Sequence, residues 1–127
     1  MKYLLAMYLN PDVMAKLSER DMEAITTGHG EFIRTIRESG EMISTQALGP
    51  AGETTVVRGR SGPPAVTDGP FLETKEFLAG YYLVECVSRE RAVELAAMIP
   101  DTAFDGLGVE VREVVFFADA EAEVPMA

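Results

Sequence analysis

The stretch from Lys2 to Leu9 constrains the fold of this chain more than any other. Side chains of a strand alternate between two faces. Tyr3, Leu5, Met7 and Leu9 would share one face, and Leu4, Ala6 and Tyr8 the other. Apolar residues on both faces predict a central strand covered on both sides. Asn10-Pro11-Asp12 ends the run with turn chemistry and no small-residue cleavage site, so it reads as a strand and not as a signal peptide.

Residues 13–17 read as a short helical turn. Ser18-Glu19-Arg20-Asp21 then carries the marks of a helix start, a serine cap followed by acids in the first turn. Met22, Ile25, His29, Phe32, Ile33 and Ile36 recur at spacings of three and four, one apolar stripe on a helix that ends at Gly40. Gly28 and Gly30 lie inside it at a cost of about 1 kcal/mol each against alanine. Two glycines flanking a histidine predict close approach of another backbone or of a ligand.

Residues 41–48 and 54–60 read as strands, and Ala65-Val66-Thr67 as a short return strand after the turn Ser61-Gly62-Pro63-Pro64. Asp68-Gly69-Pro70-Phe71 breaks regular structure, and 72–77 form a polar connection. Leu78 to Val87 is the next strand, with Tyr81 and Leu83 on one face and Tyr82, Val84 and Cys86 on the other. Ser88 caps a second helix that Pro100 stops. Residues 101–107 read as a loop. Val109-Glu110-Val111-Arg112 alternates as a last strand, and Val114-Val115-Phe116-Phe117 breaks its parity, which predicts a bulge near Glu113 or burial by a partner.

The order is β–α–β, a hairpin, then β–α–β. Two such halves interleave into a four-stranded antiparallel sheet with both helices on one face, a ferredoxin-like α+β sandwich with residues 53–67 as an inserted hairpin. The domain spans 1–117, and 118–127 form an acidic tail. The other sheet face would be bare, with Tyr3, Tyr8, Tyr82 and the Phe116-Phe117 pair as its apolar surface. A second copy would cover it, making a homodimer.

Composition narrows the chemistry. One Cys and one His in 127 residues exclude an intrachain disulfide and leave transition-metal sites short of ligands. No metal or cofactor is expected, and no nucleotide, flavin or metal motif occurs. A net charge of −10 argues against nucleic acid. No stretch reaches the ~20 apolar residues of a membrane span. The chain reads as soluble and cytoplasmic.

The run Asp68-Gly69-Pro70-Phe71-Leu72-Glu73-Thr74-Lys75-Glu76, followed by Gly80-Tyr81-Tyr82-Leu83, resembles the DGPF branch of the YCII-related family. The Met1-Lys2-Tyr3-Leu4 start, Ser39-Gly40, Val66-Thr67 and Val109-Glu110-Val111-Arg112 extend the resemblance from residue 1 to about residue 117. It implies a ferredoxin-like fold that pairs into a dimeric α+β barrel. Genes of this branch often neighbour those of extracytoplasmic-function sigma factors. In shorter relatives a His early in the first helix pairs with an Asp at a proposed active site. His29 matches that His by its distance from Gly40, and Asp68 is the best match for the Asp. Many members of the DGPF branch carry another residue, often Tyr, at the helix position.

His29 is the only side chain whose unperturbed pKa, ~6.5, suits proton exchange near neutrality. Beside Asp68 it would be a general base with its tautomer held by the carboxylate. The bland alternative is a satisfied core histidine on the apolar stripe. Asp68 fits equally well a turn residue bonding nearby backbone. Gly69, Pro70, Phe71, Lys75 and Tyr81 are the candidates for holding a small ligand, Lys75 as a cation for a carboxylate or enolate. The expected function is cofactor-free elimination or isomerisation of a small anionic or phenolic compound in a cleft between sheet and first helix. The alternative is a non-catalytic ligand-binding or regulatory module, with a sigma factor as its partner.

Overall fold

A computed structural model describes residues 1–69 and 76–121. The first strand, β1, spans Lys2–Leu9 and lies inside a four-stranded antiparallel sheet. The other strands of this sheet are β2 (Met42–Ala47), β5 (Phe77–Glu85) and β6 (Gly108–Glu113), in the spatial order β2-β5-β1-β6. Strands β3 (Thr55–Arg58) and β4 (Ala65–Asp68) form a separate antiparallel pair. The helices are α1 (Pro11–Ala15), α2 (Glu19–Glu38) and α3 (Arg89–Ala97). Mixed helices on an antiparallel sheet in this order are compatible with a ferredoxin-like α+β plan.

Local chemistry explains the helix boundaries. The Asn10 side chain accepts the Asp12 and Val13 amides at the start of α1. Ser18 and Asp21 form a reciprocal capping box on α2, each side chain accepting the other's backbone N–H at 3.0 Å. Gly40, at φ +79°, supplies the left-handed residue after the helix. Ser88 accepts the Arg91 amide to start α3.

Both long helices cover the same sheet face. Tyr3 and Leu5 of β1, Tyr82 and Val84 of β5, Phe32 and Ile36 of α2, and Leu95 and Ile99 at α3 form one buried cluster. Tyr3 and Tyr82, assigned from sequence to the bare face, are therefore core residues, 2% exposed each. The reason is parity: both point with Leu5 and Val84 toward the helices. The opposite face carries Leu4, Tyr8, Tyr81 and Leu83, all partly exposed. The Arg91 guanidinium fastens α3 to the start of β2 through two bonds to the Glu41 carboxylate, at 2.8 and 2.9 Å. These bonds hold the Glu41 carboxyl below its ordinary value, against the opposing effect of burial.

The chain end departs from expectation. β6 stops at Glu113 with no bulge in its pairing to β1. Val115 is 92% exposed, so nothing among the described residues covers it. No described helix is long and apolar enough to cross a membrane.

Candidate active site

The stripe on α2 divides into two halves. Phe32 and Ile36 are buried in the core, whereas Met22, Ile25, His29 and Ile33 line a cavity of about 380 Å³. Its remaining walls come from Met7 and Leu9 of β1, Met14 of α1, Leu107, and the facing stretch of β2 and β5. The pairing of β1 with β5 is irregular between Met7 and Tyr8, so Ala79 is skipped, and Ala79 and Gly80 both reach the cavity wall. Such bulges re-aim side chains beside binding sites. Gly80 also lets β2 approach, since a Cβ there would sit 2.6 Å from the Gln46 carbonyl oxygen.

The lining is overwhelmingly apolar, and two of its polar groups, Asp101 and Tyr82, converge on His29. The Nε2 of His29 lies 2.9 Å from the Asp101 carboxylate. The Nδ1 lies 2.7 Å from the Tyr82 hydroxyl. Asp101 is 3% exposed, the only buried charged side chain among the described residues. A buried carboxylate needs a hydrogen-bonded partner, and the imidazole supplies it. The carboxylate accepts, so Nε2 carries a hydrogen, and in the neutral ring Nδ1 is left with a lone pair toward Tyr82.

Several features hold this arrangement. Asp101 sits in a single 3-10 turn, Pro100–Ala103, braced by the Thr102 hydroxyl, which bonds the Ala97 and Ile99 carbonyls. Pro100 packs on Gly28 so closely that an added Cβ would stand 2.6 Å from the Pro100 Cβ. One of the two glycines beside His29 thus does admit a close neighbour, but that neighbour is a proline ring and not the backbone or ligand expected. At Gly30 nothing lies within 4 Å, so it has no such role. The Tyr82 ring lies near-parallel to the imidazole and edge-on to Phe32, at centroid distances of 5.9 and 4.8 Å. Burial first, then the Asp101 charge, pushes its phenol up to about 12, against a smaller opposing effect of the Thr45 hydroxyl.

The structure redistributes the candidate residues. His29 is at the centre of the polar cluster. Asp68 is not its partner: it is exposed, at the end of β4, and paired through the backbone with Thr55 in the separate two-stranded sheet. Both ring nitrogens of His29 are already engaged by other residues. Gly69 uses its φ of +102° to turn out of β4, its amide bonded to the Thr54 carbonyl, and it is not in the cavity wall. Tyr81 points to the opposite sheet face, and Tyr82 takes the place in the wall expected of it. Pro70, Phe71 and Lys75 lie outside the described residues.

Asp101 was missed because a loop aspartate after a helix-stopping proline has no sequence pattern of its own. The available signal was Gly28, whose close neighbour proves to be Pro100. Among the described residues no three His, Cys, Asp or Glu side chains gather as a metal site.

A model of the YCII-related domain matches residues 1–118. An uncharacterised protein of Rhizobium meliloti (strain 1021) is 28% identical over 121 residues, which span 95% of this chain and 98% of that protein. The match extends from β1 to just past β6 and so includes α2 with His29, the turn with Asp101 and the strand with Tyr82. The chain belongs to the YCII-related family.

Proposed function

We propose that the cavity binds a small molecule and that His29, oriented by Asp101, moves a proton on it without a cofactor, as a lyase or isomerase of this kind would. The observation that carries the reading is the buried Asp101 carboxylate bonded to Nε2 of the only histidine, at the wall of an apolar cavity. Carboxylate, imidazole and hydroxyl in series form the usual orienter–base–relay arrangement. A proton leaving the ligand passes to the Tyr82 oxygen as the Tyr82 proton passes to Nδ1. The imidazolium that results is stabilised by Asp101, and tyrosinate need never accumulate, which matters for a phenol pushed up to about 12.

The chain would act in the cytoplasm, paired with a second copy over the sheet face that carries Leu4, Tyr8, Tyr81 and Leu83. The regulatory alternative, with a sigma factor as partner, draws on the gene neighbourhood of the branch this chain resembles and on the net charge of −10.

The elimination probe 5-nitrobenzisoxazole tests the reading. A base removes its ring C–H proton, the N–O bond breaks, and a coloured cyanophenolate forms. The wild-type protein should accelerate this by about 10²-fold or more over His29→Gln, the usual scale of general-base catalysis. Asp101→Asn should lose most of that advantage. Equal rates for wild type and His29→Gln would overturn the proposal.

A further inference from the structure

The polar end of the cavity has a donor–acceptor polarity that restricts what can bind there. The Asp101 carboxylate accepts from His29 Nε2, which leaves Nδ1 as an acceptor in the neutral ring. The Tyr82 hydroxyl has one hydrogen, and at 2.7 Å it donates that hydrogen to Nδ1. The Thr45 hydroxyl, opposite Tyr82 in the β2–β5 register, donates its one hydrogen to the Tyr81 carbonyl at 2.9 Å. Gln46, next along β2, alternates to the other face with Tyr81 and is exposed. Around a neutral His29, therefore, Tyr82 and Thr45 offer the cavity only lone pairs.

The rest of the described wall is methionine, leucine, isoleucine, alanine, Gly80 and the exposed Gln46, and its one charged side chain is Asp101. A carboxylate ligand would meet acceptors and a buried negative charge. An ether or ketone would find no donor at the polar end formed by Tyr82 and Thr45. We propose that the cavity favours, over acceptor-only molecules of matched size, an uncharged, mainly apolar molecule whose polar group is a hydrogen-bond donor, an alcohol, phenol or N–H, docked between Tyr82 and Thr45. The probe 5-nitrobenzisoxazole, which has no such donor, would be held by its apolar body alone. This deepens the proposed function and rests on its His29–Asp101 bond. It narrows the expected anionic-or-phenolic substrate to the uncharged kind.

A size of about 380 Å³ is in the range of ordinary small-molecule pockets. The three flexible methionines, Met7, Met14 and Met22, let its wall adapt to different apolar bodies. Protonating His29 would reverse the Tyr82 hydroxyl: Nδ1–H would donate to it, and its own hydrogen would be free for a ligand acceptor. The titratable groups facing the ring are Asp101 and Tyr82.

The test uses three probes of matched size: heptan-1-ol, its isomer 1-methoxyhexane, and heptanoate. Binding is followed by NMR through the methionine methyls and the single imidazole, in full-length protein at a pH where that imidazole is neutral. The alcohol should bind about tenfold more tightly than the ether, the scale of one hydrogen bond to an otherwise unpaired group. Heptanoate should bind more weakly than either. Thr45→Val, similar in shape but without the hydroxyl, should shrink the alcohol-over-ether ratio while leaving the ether's affinity unchanged. Equal affinities for alcohol and ether, tightest binding by heptanoate, or no binding by any probe would each overturn the inference.

The imidazole nitrogen shifts in the same samples report the tautomer and so test the underlying bond separately. Followed against pH, they also read the charge beside the ring: if Asp101→Asn leaves the midpoint of the His29 titration where it is in the wild type, the functional reading fails whatever the probes do. If the midpoint depends on Asp101 and the alcohol has no advantage, only the selectivity is wrong.

Discussion

The two halves of the α2 stripe are made of similar residues and do opposite things. Toward the helix C-terminus, Phe32 and Ile36 are 3% and 0% exposed, locked by Leu95, Ile99 and the sheet. Toward the N-terminus, Ile25 and His29 face a cavity, which Ile33 borders from the core side, and Met22 at its rim is 40% exposed. What differs is the neighbour. The α3 segment, with its buried Ala92, Leu95 and Ala96, covers one half. The other meets the short turn Pro100–Ala103, the five-residue α1, Leu107 and the bulged end of the sheet. An amphipathic helix is thus a demand for apolar cover, and a cavity results where the cover is too short.

The largest expected effect separates these halves directly. Ile36→Ala should cost about 3 kcal/mol, as for a fully enclosed aliphatic chain, whereas Ile25→Ala should cost about 1 kcal/mol, because its site already adjoins empty space. Urea unfolding at neutral pH measures both. Equal costs would mean that the N-terminal half is packed in solution, and the comparison would break.

Next is the contact that supports the cavity half beside His29. Gly28→Ala should destabilise by about 1–2 kcal/mol, since the clash with the rigid Pro100 ring outweighs the helix propensity gained. It should also slow 5-nitrobenzisoxazole elimination by about tenfold, because Pro100 carries Asp101 with it. Gly30→Ala, with open space around it, should stabilise the helix by up to about 1 kcal/mol and leave the elimination rate unchanged. Loss of rate at both positions would detach the effect from Asp101.

The smallest effect is in alkali. The Tyr82 phenol, raised in the folded protein to about 12 from an ordinary 10, favours the fold fully below pH 10. That contribution is lost as pH rises from 10 toward 12. Tyr82→Phe should flatten the decline of stability across this window, though not abolish it, because burial raises the Tyr3 phenol too. An unchanged alkaline slope in chemical denaturation would show that Tyr82 titrates as an exposed phenol.

Much of the scaffold was legible because its signals are local. The Ser18 and Ser88 caps, Gly40 and Pro100 mark helix ends through chemistry within a few residues. The histidine was legible by being alone. Its partner was not: Asp101 is 72 residues away in sequence, and a loop carboxylate looks the same whether it is solvated or buried. The choice of Asp68 leaned on a motif whose strand, β4, pairs into a sheet of its own. The faces of Tyr81 and Tyr82 were separated correctly by parity, yet which of those faces met the helices depended on long-range packing.

By itself, the sequence determined the elements, their order and the presence of one neutral-pH base on an apolar helix face. These depend on capping, periodicity and composition, all of which act within a turn or a strand. Only the tertiary structure decided which carboxylate would be buried against that base and which tyrosine would cap its other nitrogen. It also left half of a uniform stripe facing a cavity. Those outcomes depend on how far α3 extends over the sheet and how closely Pro100 reaches Gly28. Distances between segments far apart in the chain are set by the packing of the whole core, to which no single stretch of residues holds the key.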